Sequence, residues 1–100
     1  MRIVKSYKEK GGKLVEIYLT IDRDCIIREF QITGDFFAYP PEKVDYLKNL
    51  LIDQYIRDVL FMTKLEELIS NITWVGVSAS TLLKIISEIL REGASSCVKK

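Results

Sequence analysis

An α+β fold, with a small antiparallel sheet packed against three or four helices, is what this sequence predicts. Three observations carry that expectation. Two runs near the N-terminus alternate apolar and polar residues with a period of two; the second half spaces its apolar residues three and four apart; and strands and helices are segregated along the chain, unlike the regular interleaving of a doubly wound sheet. Composition fits one globular domain over residues 1–100. With 48% apolar and 29% charged residues, the chain can bury roughly two-thirds of its accessible surface on folding. That suffices for one sheet layer backed by helices.

The first thirteen residues, MRIVKSYKEKGGK, carry five Lys or Arg against one Glu. Residues 1–10 read as a basic arm or a short edge strand, and Gly11-Gly12 as a turn. In "KLVEIYLTI", Val15, Ile17, Leu19 and Ile21 form one apolar face, with Glu16, Tyr18 and Thr20 opposite. "DRD", Asp22 to Asp24, is a polar turn, and "CIIREFQI", Cys25 to Ile32, the returning strand. Ile26, Phe30 and Ile32 share a face there, with Glu29 and Gln31 opposite. Arg28 falls on the apolar parity, which calls for a bulge, an edge position or a side chain reaching solvent, or else an arginine facing a partner or ligand.

"GDFFAYPP", Gly34 to Pro41, forms the junction with the helical half. Gly34 tolerates a positive φ, Asp35 can bond its local backbone, and Pro41 with Glu42 suits a helix start. Phe36 and Phe37 are adjacent, so on extended backbone one points inward and the other outward. Val44, Leu47, Leu50 and Leu51 predict a helix from Glu42 to about Leu51. Ile52 to Phe61 continues it or forms a second short helix. Thr63 and Glu66 have the spacing of a capping box, and Leu65, Leu68, Ile69 and Ile72 form the stripe behind it. Trp74 and Val75 lie in an extended link or tight turn. Ser78 or Ser80 caps a last helix carrying Leu82, Leu83, Ile86, Ile89 and Leu90. Gly93 is expected to end that helix, leaving residues 94–100 as a flexible tail.

The residue types restrict the chemistry. The chain contains no histidine, which removes the commonest general base, the usual zinc ligand and the histidine-activated nucleophiles. Cys25 and Cys97 lack C-x-x-C spacing and read as free thiols. The carboxylates have the spacing of solvated helix faces, so no metal site and no catalytic residue is assigned. A net charge of +1 makes no case for nucleic acid or anionic membrane, and no apolar stretch is long enough to span a bilayer. A cytoplasmic setting is the default. The chain is expected to work by contact, with at least one of Phe36, Phe37 and Tyr39 meeting a partner.

The stretch Gly11 to Leu51, about 40% of the chain, resembles the C-terminal or accessory domain of lipoate-protein ligases, and most of all the separate small subunit of archaeal two-component ligases. The resemblance is carried by Gly12-Lys13-Leu14-Val15 opening the hairpin, then Ile32, Gly34-Asp35-Phe36-Phe37, and Tyr39-Pro40 entering the first helix. The Asp22-Arg23-Asp24 turn departs from the pattern by lacking a glycine, and Ile52 to Phe61 has no clear counterpart. The resemblance implies a non-catalytic subunit, inactive alone, that forms a heterodimer with the ligase catalytic subunit. Such a subunit supports ATP-dependent activation of lipoate to lipoyl-adenylate. ATP, Mg and lipoate then belong to the complex, and lipoyl domains or the glycine-cleavage H protein are its indirect targets. By motif position, Gly34, Asp35, Phe36, Phe37 and Tyr39 would shape the partner-facing corner. Lys13 would be the basic residue on the ligand side, with Lys5, Lys8 and Lys10 as lesser versions of the same idea. A sulfur-transfer or iron–sulfur scaffold-like adaptor and a structural homodimer are the alternatives.

Overall fold

In the computed structural model, which describes residues 1–8, 10–11, 13–59 and 63–97, the chain adopts the expected α+β architecture. Strands β1 (Arg2–Lys8), β2 (Leu14–Ile21) and β3 (Ile27–Gly34) form an antiparallel sheet in sequential order. The basic N-terminal run is thus an edge strand, paired along its length from Arg2 opposite Thr20 to Lys8 opposite Leu14. Gly11 of the β1–β2 turn has φ +106°; Gly12 lies outside the described residues. On β2 the alternation works as read. Val15, Ile17, Leu19 and Ile21 are buried, and the intervening Glu16, Tyr18 and Thr20 are not.

The returning strand corrects the sequence reading. Cys25 and Ile26 precede β3, and the buried face comprises Ile27, Phe30 and Ile32. The cause is a bulge: Thr20 faces Glu29 but Ile21 faces Ile27, so Arg28 is the extra residue. One inserted residue exchanges the faces of Ile26 and Ile27 and carries Arg28 out of the core. Its guanidinium then bonds two carboxylates, Nε donating to Asp22 Oδ2 and Nη1 to Asp53 Oδ1, each at 2.7 Å. Asp22 also closes its own turn, since Oδ1 accepts from the backbone N–H groups of Asp24 and Ile26.

Two short strands, β4 (Phe37–Tyr39) and β5 (Thr73–Val75), form a separate antiparallel ribbon. Between them run α1 (Glu42–Leu51), α2 (Ile56–Val59) and α3 (Thr63–Ser70). Pro41 and Glu42 start α1 where expected. It stops because Ile52 turns extended and Asp53 takes φ +67°, so α2 is a separate helix. Residues 60–62, at the end of the 52–62 stretch whose helix boundaries the sequence leaves open, lie outside the described residues. The segment after α1 joins the sheet's end through Ile27 N–H to Gln54 O, Asp53 N–H to Ile27 O and Ile56 N–H to Cys25 O. Buried Leu65 and Ile69 fix α3 against the core.

Helix α4 (Ala79–Ser96) closes the core. Ser78 caps it, its hydroxyl accepting from Thr81 N–H at 3.1 Å. Its apolar face comprises Leu82, Ile85, Ile86, Ile89 and Leu90 and packs over β1 and β2. Gly93 does not end this helix, contrary to expectation. A Cβ there would sit 2.7 Å from Ile21 Cδ1 and 3.1 Å from Leu19 Cδ2, so glycine serves close packing of helix on sheet. The helix runs on through residues 94–96 of the expected tail; residues 98–100 lie outside the described residues. Cys25 and Cys97 are likewise corrected from free thiols to partners in one disulfide, with Cα atoms 5.9 Å apart across 72 residues of sequence. Turn and helix end are brought together by packing, which spacing along the chain could not reveal.

The Asp22 turn gives a pH prediction. The Ile26 N–H, followed by Arg28, holds the Asp22 carboxyl below its ordinary value of 3.8. The folded state therefore binds this proton less readily than the unfolded chain. Its stabilising contribution is present above the unfolded value and is lost as pH falls through the folded one. In Asp22→Asn the melting temperature is expected to fall less steeply below about pH 4 than in the parent, measured by thermal unfolding across that range.

Candidate functional site

The corner that begins at Gly34 is built by backbone geometry. Gly34 has φ +151° at the end of β3, and a Cβ there would run into the Leu14 carbonyl oxygen. That carbonyl accepts from Asp35 N–H at 2.9 Å. Backbone on one side and an outlying φ on the other leave glycine as the residue that fits. The chain can thus leave the main sheet abruptly and start the ribbon. Gly76, which follows β5, lies against the same bend: a Cβ at Gly76 would approach Asp35 O to 2.9 Å and Phe36 Cα to 3.4 Å. The two ends of the ribbon leave the body through neighbouring glycines.

Phe36 and Phe37 then part company, as adjacent residues on extended backbone do. Phe36 is half-buried and packs against the core. Its ring meets Trp74 at a centroid distance of 5.7 Å with planes tilted by 56°, a favourable aromatic geometry. Trp74 is anchored in turn, its indole Nε1–H donating to Ile69 O at the end of α3 at 3.0 Å. The ribbon's inner side is therefore tied to α3 by an aromatic pair and a hydrogen bond.

Among the described residues its outer side has no such cover. Phe37 is opposite Val75 and Tyr39 opposite Thr73, so these four share one face. Phe37 is 66% exposed, Tyr39 56% and Val75 50%. Three large apolar side chains thus stand in water on one face of a short ribbon, an arrangement of the kind that marks contact surfaces. Val75 was missed by the sequence reading. Its signal is the alternation Thr73-Trp74-Val75, which became informative only once β4 was known to be the partner strand.

Lys13 joins Gly34, Asp35, Phe36 and Phe37 around a shallow hollow of about 370 Å³. Five of the six residues singled out from sequence therefore line one depression, and Tyr39 lies further along the ribbon. Lys8 pairs with Leu14 at the same end of the sheet, whereas Lys5 is committed elsewhere, its ammonium 2.9 Å from Glu92 on α4. A second hollow, of about 450 Å³ between α1 and α3, has Leu50 and Leu68 among its lining and includes none of the predicted site residues. Among the described residues no group of three or more Cys, Asp or Glu is placed to hold a metal ion, and no helix is long and apolar enough to cross a membrane.

The two phenylalanines should separate stability from contact. Phe36→Ala is expected to cost about 2 kcal/mol, less than a fully buried ring because the site is half-buried. Phe37→Ala should stay within about 0.5 kcal/mol of the parent. Urea unfolding of both variants measures the difference.

The fold is similar to that of a solved chain from an archaeal lipoylation system of Thermoplasma acidophilum, comprising a bi-partite lipoate protein ligase and its E2 lipoyl domain. The match has a TM-score of 0.56 at 21% sequence identity and covers 84% of this chain and 94% of the other. No protein-family model and no curated protein sequence matches the chain.

Proposed function

We propose that this chain is a non-catalytic accessory subunit of a lipoate-protein ligase. In this reading it binds the catalytic subunit through the β4–β5 corner and supports ATP-dependent activation of lipoate to lipoyl-adenylate. The observation that carries the proposal is the exposed row of Phe37, Tyr39 and Val75 on a ribbon locked from behind by Phe36 and Trp74. Its setting supports the same reading, because the fold is similar to that of a chain from a bi-partite ligase system. A rigid patch of this kind can enter an apolar socket with little ordering cost.

The roles follow from position. Gly34 and Asp35 set the bend, Phe36 anchors it, and Phe37 and Tyr39 face the catalytic subunit. Lys13, at the rim of the hollow, is the cation available to an anionic group at that interface. ATP, Mg and lipoate are bound by the catalytic subunit, and lipoyl-bearing proteins are met through it. Seating the corner would help exclude water from the mixed anhydride, which otherwise hydrolyses. The setting proposed is cytoplasmic; disulfides there are rare in mesophiles but common in hyperthermophilic archaea and bacteria. A sulfur-transfer role is disfavoured because Cys25 and Cys97 are bonded to each other.

The test mixes this chain with the matching catalytic subunit, lipoate and ATP, and follows lipoyl-adenylate formation. The expected result is stimulation by the parent chain, reduced at least tenfold at subsaturating concentration by Phe37→Ala, equivalent to about 1.4 kcal/mol of lost binding. Absence of stimulation by the folded parent chain would sink the accessory reading. Stimulation unaffected by Phe37→Ala would move the interface away from the ribbon.

A further inference from the structure

The C-terminal end of α4 is poorly supported by its own sequence. Its last residues are Gly93-Ala94-Ser95-Ser96, three of which are weaker helix formers than alanine. The last turn carries no basic residue to complement the helix dipole, and Cys97 closes the helix in extended conformation. Ser95 and Ser96 are exposed, and of this final stretch only Gly93, Ala94 and Cys97 reach the core. Beyond these the described residues add a long hydrogen bond, Arg57 Nη2 to Cys97 O at 3.4 Å. Upstream the situation reverses, because Ile85, Ile86, Ile89 and Leu90 are all buried.

Besides the packing of Gly93, Ala94 and Cys97, what seats this end is covalent. Cys97 is bonded to Cys25, and Cys25 is wholly buried in a turn closed by its own N–H to Asp22 O and by Ile56 N–H to Cys25 O. We infer that the Cys25–Cys97 disulfide is a redox-sensitive latch on the end of α4: its reduction by a dithiol frees residues 93–97 from the sheet while the rest of the domain stays folded. In that step the S–S bond breaks, the two protons of the dithiol pass to the Cys25 and Cys97 sulfurs, and the dithiol closes to its own cyclic disulfide. Lifting the segment opens the edge of the core it covers, where Gly93 lies against Ile3, Leu19 and Ile21. The ribbon sits at the other end of the sheet. Leu14 is beside the bend and Ile21 beside the latch, about 23 Å apart along β2. The latch therefore answers to the thiol–disulfide poise of its surroundings without dismantling the corner.

Native-state amide hydrogen exchange tests this on three samples: the oxidised chain, the chain reduced with dithiothreitol, and the double variant Cys25→Ser/Cys97→Ser. The oxidised chain should protect the end of α4. In the other two samples exchange should accelerate at least tenfold over residues 93–97, with 82–90 and the 73–75 strand unchanged, and reoxidation should restore protection. Unchanged exchange over 93–97 in both the reduced chain and the variant would overturn the latch, because the helix end would then hold itself. Loss of protection throughout both samples would overturn it as well, because the bond would then sustain the whole domain.

Discussion

The close seating of α4 on the inner face of the sheet is the constraint on which the rest of this structure depends. Val15, Ile17, Leu19 and Ile21 leave water almost completely on that face, and each such side chain is worth about 1.5–3 kcal/mol when fully buried. A three-stranded sheet cannot hide them by itself. The helix does so at close range because Gly93 presents no side chain where the Ile21 and Leu19 methyl groups project. A larger residue at 93 would press on Ile21 and Leu19 and push the last turns of the helix away from the sheet. The Lys5–Glu92 ion pair, one residue before the glycine, adds orientation more than energy, since both groups are partly exposed.

From that seat the remaining elements take their places. The α4 N-terminus follows the ribbon by way of Gly76 and Val77, and its C-terminus lies at the β2–β3 turn. The bulge at Arg28 bends the far end of β3 toward the segment after α1, where Asp53 and Gln54 pair with Ile27. Arg28 bridges Asp22 and Asp53 across this join. An arginine that would be a costly intruder in a regular strand becomes the outer tie between two loops. The bulge makes that exchange possible, and without it Arg28 would share a face with Phe30 and Ile32.

Much of this was legible in residue order, and the failures have physical causes. The alternation on β2, the Pro41–Glu42 helix start, the Ser78 cap and the divergence of Phe36 and Phe37 are local effects, decided within a few residues. Arg28 was recognised as out of pattern, but a bulge was one of several ways to accommodate it, and only the register shows that Ile27 replaces Ile26 in the core. Gly93 was misread because a glycine late in a helical pattern suits either a stop or a close contact. The difference lies in Leu19 and Ile21, more than seventy residues earlier. The Cys25–Cys97 bond and the Phe36–Trp74 pair are likewise tertiary facts. At the site, the sequence singled out the residues of the bend but not Val75, whose exposure depends on strand pairing with Phe37.

The corner differs from the core in what its residues must satisfy. Gly34 is demanded by the Leu14 carbonyl and by its own φ, and Phe36 by Trp74; these are requirements of folding. Phe37 and Tyr39 answer to no such requirement, since their rings contact water on the side away from the protein's interior. A short ribbon could carry threonine or lysine there and remain paired with β5. Aromatic residues at both outward positions, with Val75 across from Phe37, are therefore better explained by something that the ribbon touches than by what it stands on. The same division bears on a fold shared at only 21% identity. Burial and backbone clearance can be met by many sequences, so the fold alone leaves the partner open. In the proposed accessory role, the outward aromatic row is the feature that a partner would have to match.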